Sequence, residues 1–167
     1  IREIFGHQSH YWWARDVQGR VRGVLPLVRL RSRLFGDYQV SMPYFNYGGV
    51  LADSDEIAAA LLERAAAHAA ELGVSHVEFR ETRRFGLGWP VREDKVAMEL
   101  DLPDHPDLLW RQIGSKLRAQ IKRPLREGVE IDSGGNALLD DFYRVFARNM
   151  RDLGTPVYSR RLFATIL

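Results

Sequence analysis

The sequence predicts an α/β fold, a mixed sheet with flanking helices, followed by a second segment that opens with helices. Three observations lead there. An alternating strand pattern at 21–33 precedes a capped amphipathic helix at 53–73. A short apolar strand pattern at 74–80 follows that helix directly, the order expected of a mixed α/β layer. Beyond Pro103 and Pro106 the character changes, and leucine or isoleucine recurs every four residues. The domain boundary is therefore expected after residue 103, giving segments 1–103 and 104–167.

Residues 10–15 (HYWWAR) are aromatic and apolar, and 21–33 (VRGVLPLVRLRSR) ends in clear alternation. The turn glycine in 16–20 (DVQGR) joins them as an antiparallel hairpin. Val28, Leu30 and Ser32 then share one face, with Arg29, Arg31 and Arg33 on the other. Pro26 cannot donate to a ladder, so it marks a bulge or an edge. Residues 37–42 read as a further weak strand. The aromatic, glycine-rich stretch 44–51 (YFNYGGVL) reads as a loop entering a short strand.

The helix at 53–73 has capping-box spacing at Asp53 and Glu56. Its stripe is Ile57, Leu61, Leu62, Ala65, Ala69 and Leu72, and Gly73 ends it. Strands are expected at 74–80 and 95–102, with an Arg- and Gly-rich loop between them. In the second segment, 105–127 reads as one helix with Leu109, Ile113, Leu117, Ile121 and Leu125 in line. Pro124 should kink or end its last turn, and Gly128 closes it. A short strand at 129–132, a turn at Gly134-Gly135 and a helix at 137–153 follow. That helix is expected to turn Leu138, Phe142, Val145, Phe146 and Leu153 inward. Ser159 caps a last helix.

With 167 residues, 46% of them hydrophobic, the chain can bury a core, and no apolar run is long enough to span a bilayer. The beginning lacks both an initiator Met and a secretory layout, and the end stops inside an apolar helical pattern. Both ends are expected to be truncations. The absence of cysteine excludes disulfides, thiol nucleophiles and thiolate metal sites, and fits a reducing cytosol. A net charge of +2 is nearly balanced, so the chain as a whole is not a nucleic-acid magnet.

The cations are unevenly spread, however. Arg111, Lys116, Arg118, Lys122, Arg123 and Arg126 follow one another with no acid among them. On a helix most of them fall opposite the Leu/Ile stripe. Such a cluster repels itself, and a phosphate group or another polyanion would reverse that cost. The competing reading is a solvated face partly paired with acids elsewhere in the fold.

Tyr44, Asn46 and Tyr47 beside Gly48-Gly49 form a second candidate: hydrogen-bonding groups in a semi-apolar wall where backbone can approach closely. A packed aromatic turn is the alternative. Arg83-Arg84-Phe85-Gly86-Leu87-Gly88 formally matches the pyrophosphate loop of GNAT acetyltransferases. Trp89-Pro90 and a strand pattern follow it where a helix should begin, so it reads as a surface turn. The five histidines lack metal-ligand spacing and read as structural. Asp140 and Asp141 suit the first turn of their helix for the sake of its dipole. No metal site and no catalytic residue is nominated.

The stretch SKLRAQIKRPLREG (115–128) resembles the Lys/Arg-rich helix of FemAB-type and BioF2-like acetyltransferase domains. DFYRVFARNMRDLGTPVYSRRLF (141–163) is similar to the part that follows it. GVLPLVRLRSRLFGDYQVSMPYFNYGGVLAD (23–53) resembles the first half of bacterial FemAB-related proteins associated with the exosortase/PEP-CTERM system. The resemblance covers nearly the whole chain. It implies a tandem GNAT-like architecture: a first half, plus the opening elements of a second half whose remainder is absent.

It further implies a cytoplasmic acyl- or aminoacyltransferase acting on an envelope glycan, exopolysaccharide or peptide precursor. The donor would be acyl-coenzyme A or aminoacyl-tRNA, and the present piece alone would be inactive. The helical arm of the tRNA-using ligases is not visible. By position, Lys116, Arg118, Lys122 and Arg123 match the basic helix, and Tyr44, Asn46 and Tyr47 the first-half loop, as substrate-side residues. The rival function is a non-catalytic module that uses helix 111–126 to hold RNA or an anionic polymer. A stand-alone coenzyme A acetyltransferase would depend on the Arg83 loop.

Overall fold

The computed structural model describes every residue except Lys95 and Ala97. The chain is mixed α/β and divides into two compact units, Ile1–Val91 and Arg92–Leu167, each treated by itself below. No helix among the described residues is long and apolar enough to cross a membrane.

The first unit begins with a single helical turn, α1 (Arg2–Phe5), and a short strand, β1 (Gln8–Ser9). The expected hairpin follows: β2 (Trp12–Arg15) pairs antiparallel with β3 (Val21–Leu25), Trp12 opposite Leu25. Pro26 is where this strand pattern breaks. Beyond it, β4 (Val28–Ser32) leaves the first sheet and pairs with β1 and with β5 (Gly36–Val40). A proline cannot serve a central ladder, and here it lies at the passage between two sheets. Arg29 is half-buried, because its guanidinium forks onto Asp37 at 2.7 and 2.6 Å. That fork holds the Asp37 carboxyl below its usual range.

A loop then leads to β6 (Leu51–Ala52), the helix α2 (Asp55–Glu71) and β7 (Val77–Glu78). One sheet runs β1-β4-β5-β7, with β7 parallel to β5, and the other β2-β3-β6. Helix α2 packs on the second sheet through Leu61, Leu62 and Ala65, which meet Leu25 and Leu27 in the core. Its approach is close at Gly23, where a β-carbon would stand 2.9 Å from Leu61 Cδ1 and 3.0 Å from Ala52 Cβ.

The cap of α2 differs from the sequence reading. Ser54, not Asp53, is the N-cap, and its Oγ accepts the Ile57 N–H at 3.4 Å. Asp53 is drawn aside by an ion pair with Arg22 at 3.0 Å. At the other end the helix closes at Gly73 in a left-handed conformation, φ +66°.

In the second unit, α3 (Pro106–Gln112) and α4 (Ser115–Arg126) stand where one helix was expected. Ile113 and Gly114 are extended between them, with ψ of 138° and 158°. Glycine is a poor helix former, and the Arg118 guanidinium fixes the break by donating to Ile113 O at 2.7 Å and Trp110 O at 3.2 Å. The stripe from Leu109 to Leu125 is therefore divided. Pro124 is accommodated in the last turn of α4, two residues before its end.

The strand expected at 129–132 does not form, and the described part of 95–102 shows none. Residues 129–132 are irregular and exposed. Of 95–102, Lys95 and Ala97 lie outside the described residues, and Val96 and 98–102 are irregular and exposed. Among the described residues, neither alternating stretch has a neighbouring ladder to complete.

A 3₁₀ turn, Asn136–Leu138, leads into α5 (Leu139–Asp152), and α6 (Arg160–Ile166) follows. Leu139, which the sequence reading did not pick out, is the buried residue of α5 at 3% exposure. Phe142, Val145 and Leu153, expected inward, are exposed. Much of the contact between α5 and α6 is aromatic. Phe142 and Phe146 meet Phe163 of α6 edge-on at 5.0 and 5.1 Å, while Tyr143 donates to Tyr158 O at 2.9 Å.

Candidate functional site

The loop between β5 and β6 holds backbone angles that side-chain-bearing residues rarely adopt. It is anchored by Ser41, fully buried, whose N–H donates to Glu78 O at 2.9 Å and whose Oγ accepts the Arg80 N–H at 2.7 Å. Two non-glycine residues then take positive φ, Met42 at 47° and Tyr44 at 74°. Such angles cost side-chain-bearing residues about 1 kcal/mol or more each and persist where surroundings dictate them.

Those surroundings are visible. Pro43 is fully buried between the two strained residues. The Tyr44 ring stacks on Phe5 at 4.3 Å, and its hydroxyl meets His7 Nε2 at 2.7 Å. Arg80 reaches across to donate to Phe45 O at 2.6 Å and also holds Glu78 at 2.8 Å. Burial, followed by the amino-terminal charge, keeps His7 below the usual imidazole range.

The loop ends against a carboxylate. Glu81 accepts the Val50 N–H at 2.9 Å with one oxygen and at 3.2 Å with the other. Gly49 lies directly against it, and any β-carbon there would run into the carboxylate. Burial pushes the Glu81 carboxyl above the usual glutamate range, against the opposing pull of the Val50 N–H and of the Arg83 charge. A carboxyl of raised proton affinity at the exit of a strained loop is a candidate for accepting and releasing a proton.

The residues expected at this loop separate into two kinds. Tyr44 is half-buried in the His7–Phe5 cluster, whereas Asn46 and Tyr47 are exposed. Glu81 and His7 were not foreseen. Their partners lie 31 and 37 residues away, and no local spacing announces such contacts.

The Arg83–Gly88 turn lacks the setting of a phosphate loop. Gly86 and Gly88 take φ of +69° and +70°, and irregular structure follows in place of a helix. Arg83 is engaged locally, with Asp55 at 2.6 Å and over the Phe85 ring at 4.5 Å. Among the histidines, His68 Nε2 and His10 Nδ1 approach to 3.3 Å, and Trp12 stands edge-on to His68. Burial first, then His68 and Arg29, lower the His10 pKa. Among the described residues no group of three or more His, Cys, Asp or Glu side chains could hold a metal ion.

In the second unit the basic residues lie on or beside α4. Arg118 is turned onto the carbonyls at the end of α3, and Arg123 pairs with Glu127 at 2.8 Å. Lys122 stands over the Trp110 ring at 5.4 Å. Arg111, Lys116 and Arg126 are exposed and, among the described residues, make no ion pair. The cluster is thus partly neutralised and partly presented to solvent.

In comparisons with known proteins, no family model matched this chain and no curated protein matched it.

Proposed function

We propose that this chain is part of a tandem GNAT-like, FemAB-type transferase that moves an acyl or aminoacyl group onto an envelope glycan or peptide precursor in the bacterial cytoplasm. The donor is acyl-coenzyme A or aminoacyl-tRNA. The observation that supports this reading is Glu81, a half-buried carboxyl of raised proton affinity set against the strained loop that carries Tyr44, Asn46 and Tyr47.

In this reading Glu81 is the general base. It takes a proton from the acceptor amine or hydroxyl as that nitrogen or oxygen bonds to the donor carbonyl carbon. The bond from that carbon to the thioester sulfur or ester oxygen then breaks, and the proton passes on to the leaving group. Base catalysis of this kind contributes about 10²–10⁴-fold, with positioning responsible for much of the rest. The exposed Asn46 and Tyr47 would hydrogen-bond the acceptor, and Tyr44, held by His7, would fix the loop that presents them.

The test incubates the chain, and the longest natural polypeptide that contains it, with labelled acyl-coenzyme A or charged tRNA and an envelope extract. Label should pass from one donor into a precursor. Glu81→Gln should lower kcat by about 10²-fold with KM little changed. Transfer from neither donor, or full activity in Glu81→Gln, overturns the proposal.

A further inference from the structure

Helix α4 is solvent-exposed along its length, and none of its residues is buried. Yet it is strongly two-faced. Leu117, Ile121 and Leu125 recur at four-residue intervals, which places them within an arc of about 80°. They stand 46%, 44% and 61% exposed. Lys116, Lys122 and Arg126 lie away from that arc, and no acid occurs within the helix. An apolar stripe exposed in this chain beside Lys116, Lys122 and Arg126 fits a partner that is apolar and anionic at once.

We propose that α4 is a peripheral membrane element that lies in the interface of an anionic lipid bilayer. Leu117, Ile121 and Leu125 enter the acyl boundary, and the cations meet the headgroup phosphates. A single strand of RNA would satisfy the charges and leave the leucines in water, so it accounts for half of the surface. A bilayer accounts for both halves, because amphipathic helices of low mean hydropathy with a Lys/Arg-rich face are the kind that settle in the interface plane. Lys116 and Lys122 have stems long enough to lie along the apolar boundary with the ammonium in water. Trp110, beneath Lys122 at 5.4 Å, adds a ring of the type that favours the headgroup level. None of this depends on Glu81 or on transferase activity.

The experiment sediments the chain, and the longest natural polypeptide that contains it, with vesicles of phosphatidylcholine alone, and of phosphatidylcholine and phosphatidylglycerol in equal parts. Binding by the short chain only overturns the proposal. Binding is expected to the mixed vesicles only, and to weaken as salt is added. Lys116→Gln with Lys122→Gln should weaken it roughly 30-fold, at about fivefold for each cation. Ile121→Gln with Leu125→Gln should weaken vesicle binding by about tenfold or more, while leaving retention on heparin unchanged. Far-UV circular dichroism of each variant checks that it is folded, and quenching of tryptophan in the unaltered chain by brominated phosphatidylglycerol reports insertion without any substitution. Three other outcomes also overturn the proposal: no binding to mixed vesicles; binding that ignores the apolar substitutions and is competed fully by RNA; or self-association abolished by Ile121→Gln in place of vesicle binding.

Discussion

The Glu81 carboxylate accepts the Val50 N–H with both oxygens, at 2.9 and 3.2 Å, tying the segment after β7 to the entry of β6. Burial outweighs that hydrogen bond, and the carboxyl is raised above its ordinary range. The folded chain therefore holds this proton more tightly than the unfolded chain. Between the ordinary glutamate range and the raised value, the folded state carries more protons, so stability falls as pH rises through that window. Urea midpoints of the unaltered chain and of Glu81→Gln, compared across mildly acidic pH, should diverge in that sense. The unaltered chain should lose ground relative to the variant as pH increases and level off above the window. A difference that stays constant with pH would show that Glu81 ionises as it does in the unfolded chain.

Helix α2 rests on β3 through the missing side chain of Gly23. A methyl group there would meet Leu61 Cδ1 at 2.9 Å and Ile57 Cγ2 at 3.0 Å, closer than packed carbons tolerate. Gly23→Ala is expected to destabilise the first unit by about 1–3 kcal/mol, the usual effect of overpacking. Because Leu61 is the nearest obstacle, the loss should be smaller in a Leu61→Ala background. A double-mutant cycle in urea measures this, and strict additivity would show that the two positions do not press on one another.

How far the sequence could be read depended on whether the determining contacts were local. The β2–β3 hairpin, α2 and its Gly73 stop follow from period, turn chemistry and capping within a few residues, and all are present. Even there the cap moved from Asp53 to Ser54, because Arg22 claims the aspartate across the sheet. The strand expected at 129–132 did not form, nor did Val96 and 98–102 join one, for the opposite reason. Alternation is only half of a strand, and among the described residues neither stretch has a partner ladder. At the candidate site, Tyr44 could be noticed as an aromatic beside glycines, but its φ of 74° and its bond to His7 are tertiary products. Glu81 could not be singled out, since it is one acid among many until Gly49 and Val50 close over it.

His10 and His68 offer a test of what lowers the proton affinity of one imidazole. Three effects lower the His10 pKa, burial ahead of the His68 charge and that of Arg29. The folded chain thus binds fewer protons than the unfolded chain as pH falls through the ordinary imidazole range, and stability is lost on acidification. His68→Gln removes the second cause and leaves the first. Proton NMR titration of the His10 C2–H should show a pKa that rises in the variant but remains below the ordinary value. Complete return to that value would make His68, and not burial, the dominant cause.

The break between α3 and α4 is held by one side chain, and this too can be measured. Arg118 donates to Ile113 O at 2.7 Å and to Trp110 O at 3.2 Å, carbonyls that a helix end leaves without intrahelical partners. Hydrogen bonds from a charged donor are worth roughly 1.5–3 kcal/mol when well shielded, and partial exposure brings this pair toward about 1.4 kcal/mol. Arg118→Ala should therefore loosen the last turn of α3, and its amide hydrogens should exchange about tenfold faster. Lys116→Ala removes a cation from the same helix that makes no such tie, so it supplies the comparison: exchange in α3 should stay as it was. Equal acceleration in both variants would mean that α3 responds to the charge of α4 and not to the two hydrogen bonds. No change in either would mean that the break persists through the extended conformation at Ile113 and Gly114 alone.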